Sequence, residues 1–123
     1  MKYFILSGEP SGDLHGSNLA KAIFDNDKEA IIYGWGGDLM KNMGVNITKP
    51  ITELAFMGFV EVLSNLNKIV KNFKEFKETI INLNPDKIIL IDFPGFNLRV
   101  AKWLHKNNFK TYYYILPQAW AWN

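Results

Sequence analysis

Short, continuously apolar runs recur along this chain, and segments with helical spacing separate them. The two clearest runs are Lys2–Leu6 and Lys87–Ile91, and both are too short for ordinary helices. Runs of this kind, without polar alternation, are typical of parallel strands that are buried on both faces. Their alternation with helical segments predicts an α/β fold, with a parallel sheet and helices on both of its faces.

The same spacing predicts the remaining elements. Helices are predicted over residues 13–24, 38–43, 57–83 and 98–107, and strands over residues 30–33 and 111–116. Residues 45–54 are irregular and have room for one short strand. Ser11 or Asp13 is the predicted cap of the first helix, and Gly44 suits a left-handed C-cap of the second.

Composition excludes several classes of protein. With 123 residues, 48% of them apolar, the chain is at most one domain with a real core. It contains no cysteine, which rules out disulfides and thiolate metal sites, and its net charge of +2 is too small to indicate nucleic-acid binding. Neither histidine has a partner at metal-ligand spacing, so we expect no metal.

In a doubly wound sheet, ligands bind at the carboxyl ends of the strands, near the point where the strand order reverses. That rule gathers four loops at one edge, covering residues 8–13, 34–38, 92–97 and the segment from 117 onward. These loops contain much of the glycine, carboxylate and amide of the chain. A sugar or nucleotide site is therefore predicted at this edge.

The first of these loops reads SGEPSGDLHG and spaces its glycines evenly, at Gly8, Gly12 and Gly16. This spacing fits neither the dinucleotide fingerprint nor the P-loop, and no lysine follows. Glu9 disfavours a phosphate and suits sugar hydroxyls better. A tight strand-to-helix turn with no ligand explains the loop equally well, and both interpretations stay open.

Asp92 follows the strongest strand signal and is held by Pro94 and Gly95. A carboxylate in this position is well placed to act as a general base. It could equally close a turn, and Asn97 could equally be the N-cap of the next helix.

The long predicted helix begins with more apolar surface than one core face needs, and lysines follow at Lys68, Lys71, Lys74 and Lys77. An interfacial membrane element has this character. From the residues alone, cover by another helix or domain is the better explanation.

Five sequence boxes, taken in order, resemble those of the lipid-A-disaccharide synthase family, which are bacterial GT-B glycosyltransferases. They are GEPSGD at residues 8–13, GWGGDLM at 34–40, LAFMGFVEVL at 54–63, DFPGFN at 92–97 and LPQAWAW at 116–122. Together they span essentially the whole chain. One departure is Leu116, where many relatives have serine.

The resemblance implies transfer of 2,3-diacylglucosamine from its UDP conjugate to 2,3-diacylglucosamine 1-phosphate, with inversion at the anomeric carbon. One base must then deprotonate the acceptor 6-hydroxyl, and the resemblance implies that this base is Asp92. The acceptor site is then expected to include Glu9, Ser11, Gly12, Asn97 and Gln118. No cofactor is expected, because GT-B enzymes stabilise the leaving diphosphate with helix amides and basic side chains.

The resemblance also implies a peripheral protein on the cytoplasmic face of the inner membrane, and it reverses our interpretation of the long helix. Its start becomes a patch that faces anionic lipid and admits acyl chains, formed by Phe56, Met57, Phe59, Val60, Val62, Leu63 and Leu66.

The family is about three times longer than this chain. Residues 1–123 are therefore expected to be a Rossmann-like, N-terminal, acceptor-side domain. The resemblance assigns UDP binding and a contribution to dimerisation to a C-terminal half that this sequence does not contain. We expect the isolated chain to be inactive. The alternatives are a non-catalytic, flavodoxin-like nucleotide-binding module and a membrane-surface binding fragment without chemistry.

Overall fold

The computed structural model describes residues 1–52, 66–91 and 96–114, except for the side chains of residues 66 and 67. Within these ranges, strands and helices alternate as the sequence predicts. The elements are β1 (Lys2–Leu6), α1 (Pro10–Asn26), β2 (Ile31–Gly36), α2 (Asp38–Asn42), β3 (Asn46–Pro50), α3 (Leu66–Leu83), β4 (Lys87–Ile91), α4 (Phe96–Lys106) and β5 (Thr111–Tyr114).

The five strands form one parallel sheet in the order β3-β2-β1-β4-β5. The order reverses between β1 and β4, which are direct neighbours with Leu6 opposite Leu90. This reversal is the topological switch point, where open α/β sheets have their ligand crevice. The α/β prediction is confirmed.

Each face of the sheet has its own apolar core, because successive strand residues point to opposite sides. Phe4 and Leu6 pack with α3 and α4, with Phe76 wholly buried among them. Tyr3 and Ile5 pack with α1 and α2 on the other face. The prediction of helices on both faces is therefore also confirmed.

The bounds of β1 and β4 match the prediction, whereas α1 begins earlier than predicted. The helix starts at Pro10, and Glu9 occupies its N-cap position without a capping side-chain hydrogen bond. Proline favours this first helical position, because its fixed φ suits the helix and its missing N–H has no partner there anyway. The prediction that Ser11 or Asp13 caps α1 is therefore wrong.

Strand β3 lies in the stretch that was predicted to have room for one short strand. Two further bounds differ from the prediction. Strand β2 continues through Gly36 instead of ending at residue 33. Helix α4 begins at Phe96, so Asn97 lies inside it and is not its N-cap. Gly44 has a φ of +108° directly after α2, which agrees with the glycine predicted there.

Candidate functional site

The first two turns of α1 lie against the sheet beside the switch point, where the carboxyl ends of β1 and β4 are neighbours. Two glycines of the opening loop explain how closely this helix approaches the sheet. A Cβ atom at Gly12 would lie 3.4 Å from Cγ2 of Ile91, and one at Gly16 would lie 3.2 Å from Cδ1 of the same residue. The start of α1 therefore contacts the last residue of β4, directly before Asp92.

Ser7 begins the loop after β1 and is fully buried. Its N–H donates to the carbonyl of Trp35 at 2.9 Å, and its hydroxyl lies 3.4 Å from the carbonyl of Glu9. A Cβ atom at Gly12 would lie only 2.6 Å from the Ser7 hydroxyl. Gly12 is thus required by packing inside the protein, as the turn interpretation of this loop predicts.

Asp13 is the polar residue that organises this part of the edge, and its role differs from the predicted one. Its carboxylate is 6% exposed and accepts three backbone N–H groups. These come from Gly37 at 2.9 Å, Met40 at 3.0 Å and Leu39 at 3.1 Å. Asp13 therefore caps α2 from the neighbouring helix α1, and not the helix in which it lies.

The second glycine-rich segment fits around this carboxylate. A Cβ atom at Gly37 would lie 2.6 Å from Oδ2 of Asp13. One at Gly36 would overlap with Sδ of Met40, and one at Gly34 would lie 2.5 Å from the carbonyl of Ile5. The boxes at residues 8–13 and 34–40 are consequently two halves of one packed corner.

Sequence reasoning missed the link between these boxes, although a signal for it exists. Helix α2 has Gly37 at its N-cap and no capping side chain of its own. A helix start without its own acceptor needs one from elsewhere, because its first N–H groups have no partner within the helix. A buried aspartate in the first box supplies that acceptor.

Glu9 and Ser11 are both exposed at the carboxyl edge of the sheet. No side chain of the described residues caps the start of α1. Glu9 and Ser11 are thus exposed at the start of a 17-residue helix whose N-cap residue makes no side-chain hydrogen bond. Hydroxyl-rich ligands and anions both suit such a helix start.

Asn97 lies across the crevice, in the first turn of α4, and is 3% exposed. Its Nδ2 donates to the carbonyl of Ile91, the last residue of β4. Its Oδ1 has no hydrogen-bond partner within the part of the chain that the structure describes. The side chain thus joins the two ends of the segment that contains Asp92.

Two tyrosines of β5 complete the described edge. The hydroxyl of Tyr113 donates to the main-chain carbonyl of Asn97 at 3.2 Å. Burial raises the pKa of Tyr113, so this hydroxyl stays protonated and remains a donor at neutral pH. On the other face of the sheet, the ring of Tyr114 lies 6.1 Å from that of His15, which connects α1 with the end of β5.

Several predicted site residues lie outside the described residues. They are Asp92, Gln118 and the patch residues Phe56, Met57, Phe59, Val60, Val62 and Leu63, together with the side chain of Leu66. Of the lysines that follow the patch, Lys68, Lys71 and Lys74 are exposed on α3. The Nζ of Lys77 lies 4.3 Å from the centre of the Phe73 ring.

Within the described ranges, no three histidine, aspartate or glutamate side chains are grouped so that they could hold a metal ion. The helices of those ranges include none that is long and apolar enough to cross a membrane.

Comparisons with known proteins identify relatives of the whole chain. The profile of the lipid-A-disaccharide synthetase family matches residues 3–123. The chain is 43% identical over 121 residues to the lipid-A-disaccharide synthase of Geobacter metallireducens, covering 98% of this chain and 32% of that protein. It is 41% identical over 118 residues to that of Syntrophus aciditrophicus, covering 96% of this chain and 31% of that protein. The chain thus spans about a third of the length of these curated relatives.

Proposed function

The chain belongs to the lipid-A-disaccharide synthetase family, and we propose that its gene product is a glycosyltransferase of lipid A biosynthesis. The proposed donor is UDP-2,3-diacylglucosamine, and the proposed acceptor is 2,3-diacylglucosamine 1-phosphate. The products are UDP and the β-1,6-linked disaccharide 1-phosphate.

The observation that carries this proposal is the pairing of β1 with β4 at the switch point. Leu6 lies opposite Leu90, so the two segments that follow these strands start side by side at the carboxyl edge. One segment leads to the exposed Glu9 and Ser11, and the other leads to Asp92. A base and a set of groups for sugar hydroxyls are thus expected on opposite sides of one crevice.

The chemical step is a single displacement at the anomeric carbon of the donor. Asp92 takes the proton of the acceptor 6-hydroxyl as that oxygen forms a bond to the carbon. The bond from the carbon to the diphosphate oxygen breaks, and its electron pair leaves with UDP. Glu9, Ser11 and the main chain at Gly12 bind the acceptor beside Asp92, and Gln118 adds an amide contact.

This chain supplies the acceptor side of the reaction. We propose that the donor site belongs to a C-terminal half like the one in the longer relatives, and that this half also contributes to a dimer. Helix amides and basic side chains of that half stabilise the leaving diphosphate, without a cofactor. The isolated 123 residues therefore do not turn over.

We also propose that the enzyme acts at the cytoplasmic face of the inner membrane, since its proposed substrates have acyl chains that partition into a bilayer. The lysines exposed on α3 support this location, because juxtamembrane cations attract anionic lipid. Residues 56–66 supply the apolar contact. Sedimentation with vesicles tests this proposal: binding to phosphatidylglycerol vesicles supports it, and equal binding to purely zwitterionic vesicles contradicts it.

The test of the function is a transfer assay with the complete gene product and both proposed substrates. We expect a disaccharide 1-phosphate whose new linkage is β, as read from the anomeric proton coupling in its NMR spectrum. Substitution Asp92→Asn should lower kcat by about a thousandfold or more, because it removes the proposed base.

An α linkage would contradict the single displacement, and an unchanged rate in Asp92→Asn would remove Asp92 from the mechanism. Flavin or nucleotide binding without transfer would favour the flavodoxin-like alternative. Disaccharide formation by residues 1–123 alone would contradict the assignment of the donor site to another half.

A further inference from the structure

We propose that Asn97 is a positioning residue that sets the geometry of Asp92 and does not itself contact the substrate. This inference rests on the proposed function, and it goes beyond it by assigning Asn97 a role other than binding the acceptor. Three observations on the described residues carry it.

The first observation is the connection that the Asn97 side chain makes. Its Nδ2 donates to the carbonyl of Ile91, and residue 92 follows that carbonyl in the chain. One amide therefore fixes the distance between the last residue of β4 and the first turn of α4. Because the peptide bond is planar, the Ile91 carbonyl shares a plane with the main-chain N atom of residue 92, so a bond that holds this carbonyl also restricts how the chain continues.

The second observation is the burial of Asn97. At 3% exposure, the side chain faces the protein interior, where a sugar hydroxyl has little access to it. Phe96 beside it is also buried, with its ring 6.2 Å from that of Trp35 and 6.3 Å from that of Phe73. Helix α4 thus begins against packed aromatic rings. The Asn97 side chain links this helix start to the end of β4 by its hydrogen bond to Ile91.

The third observation is the unpaired Oδ1 of Asn97. A buried polar atom without a partner costs stability, and native structures contain few of them. Among the described residues, this amide satisfies Ile91 while its own oxygen has no partner. The amide is kept at this cost because its Nδ2 supplies the donor to the buried Ile91 carbonyl, which an apolar side chain would leave without it.

The hydroxyl of Tyr113 strengthens the same arrangement from β5. It donates to the main-chain carbonyl of Asn97, in the first turn of α4. The peptide of Asn97 is thus held from the side of the sheet while its side chain holds Ile91. We therefore assign Tyr113 a positioning role as well, which acts on Asp92 only through Asn97.

The experiment compares four variants of the complete gene product in the transfer assay. They are Asn97→Ala, Asn97→Leu, Tyr113→Phe and the control Asn107→Ala. Asn107 is a matched control, because its Nδ2 also donates to a main-chain carbonyl, that of Trp103 at 2.8 Å, directly after α4. It lies at the opposite end of that helix from Asp92.

We expect Asn97→Ala and Asn97→Leu to lower kcat about 10- to 100-fold, since a small misplacement of a reacting group has effects of this size. KM should change less than about threefold, because no substrate contact is lost. Tyr113→Phe should lower kcat about two- to fivefold, as expected for a hydrogen bond one step further away. Asn107→Ala should leave both constants unchanged.

The double variant Asp92→Asn with Asn97→Ala separates positioning from substrate contact. If Asn97 acts through Asp92, adding Asn97→Ala to Asp92→Asn lowers the rate less than about twofold, because residues that act as a unit are non-additive. A full further loss in the double variant, or a large rise in KM, would overturn the inference in favour of a substrate contact.

Unchanged kcat in folded Asn97→Leu would also overturn the inference. The proposed function would survive that result if Asp92→Asn still abolished transfer. Conversely, full activity of Asp92→Asn would overturn the proposed base, whatever the Asn97 variants do. If Asn97→Ala fails to fold, Asn97→Leu and Tyr113→Phe still decide the question, because the first keeps the number and branching of the side-chain heavy atoms and the second removes only a hydroxyl from an exposed ring.

Discussion

Two corners of the carboxyl edge are built in contrasting ways. At the Asp13 corner, formed by Ser7, Gly12, Asp13 and the glycines 34, 36 and 37, one buried carboxylate accepts three N–H groups. Glycines allow the backbone to pack closely around it. At the Asn97 corner, formed by Ile91, Asn97 and Tyr113, one amide and one hydroxyl make single bonds, and an amide oxygen has no partner among the described residues.

The contrast separates two roles that glycine- and carboxylate-rich boxes can have. Several interactions at the Asp13 corner hold the same geometry, which is how a fold secures its own elements. At the Asn97 corner, Oδ1 of Asn97 has no hydrogen-bond partner among the described residues, and this atom lies close in sequence to the proposed base. Local departures of this kind from full hydrogen bonding are expected at functional sites. We therefore expect changes at the first corner to act mainly on stability, and changes at the second to act mainly on turnover.

The largest stability effect is expected from Asp13→Ala, which leaves the N–H groups of α2 without their acceptor. We expect the free energy of unfolding to fall by about 3 kcal/mol, combining a lost cap with unsatisfied buried donors. Urea unfolding of the complete gene product measures it. The control is Asp38→Ala, an exposed acid in the first turn of α2, which should cost less than about 1 kcal/mol. Equal losses in both variants would break the contrast.

Gly37→Ala should have the next largest effect, about 2 kcal/mol, because its Cβ would lie 2.6 Å from Oδ2 of Asp13. The carboxylate would have to move away from its donors. The sharper measurement is the double variant with Asp13→Ala, in which the obstructing carboxylate is gone. There Gly37→Ala should cost less than about 0.5 kcal/mol, whereas full additivity would show that the two boxes are not coupled through Asp13.

The smallest effect is expected far from both corners, at Asp27. Partial desolvation opposes ionisation of Asp27, but the N-terminal ammonium at 3.3 Å, the N–H of Glu29 and the Tyr3 hydroxyl outweigh it and hold its pKa below the usual value. Its charged form therefore stabilises the fold above about pH 3.8, and this contribution is lost as pH falls through the lower, folded-state pKa.

Asp27→Asn measures this contribution through thermal unfolding. The Tm of the variant should lie slightly below that of the parent protein at pH 6, and the difference should disappear well below pH 3.8. A difference that grew as the pH fell would have the wrong sign. The catalytic constants near neutral pH should not change, because Asp27 lies after α1, at the end of the helix opposite the crevice.

The local sequence predicted the central strands well, because a parallel strand that is buried on both faces consists of a continuous apolar run. The runs Lys2–Leu6 and Lys87–Ile91 have the bounds that their apolar character predicts. The predicted start of α1 was wrong, because the sequence makes Asp13 resemble an N-cap of the helix in which it lies. Its partners are 24 to 27 residues away, and contacts over that distance leave no periodic signal.

For the site, only part of the prediction falls on described residues. The loops after β1 and β2 lie at the carboxyl edge, and Glu9 and Ser11 are exposed there, whereas residues 92–95 and those from 115 onward lie outside the described ranges. The sequence did not separate a ligand-binding glycine from a packing glycine. Gly12 and Gly37 are glycines because of Ser7 and Asp13, which only the folded backbone brings near them. The hydrogen bond from Asn97 to the Ile91 carbonyl was equally unpredicted, since no pattern in the sequence links these two residues.

The most direct test of the two-corner account compares Asp13→Ala with Asp92→Asn in the complete gene product, measuring both unfolding and kcat per folded molecule. The account predicts that Asp13→Ala loses about 3 kcal/mol of stability and keeps kcat within about threefold. It predicts that Asp92→Asn keeps its stability within about 1 kcal/mol and loses kcat about a thousandfold or more. A stable Asp13→Ala without turnover, or an active Asp92→Asn, would contradict it.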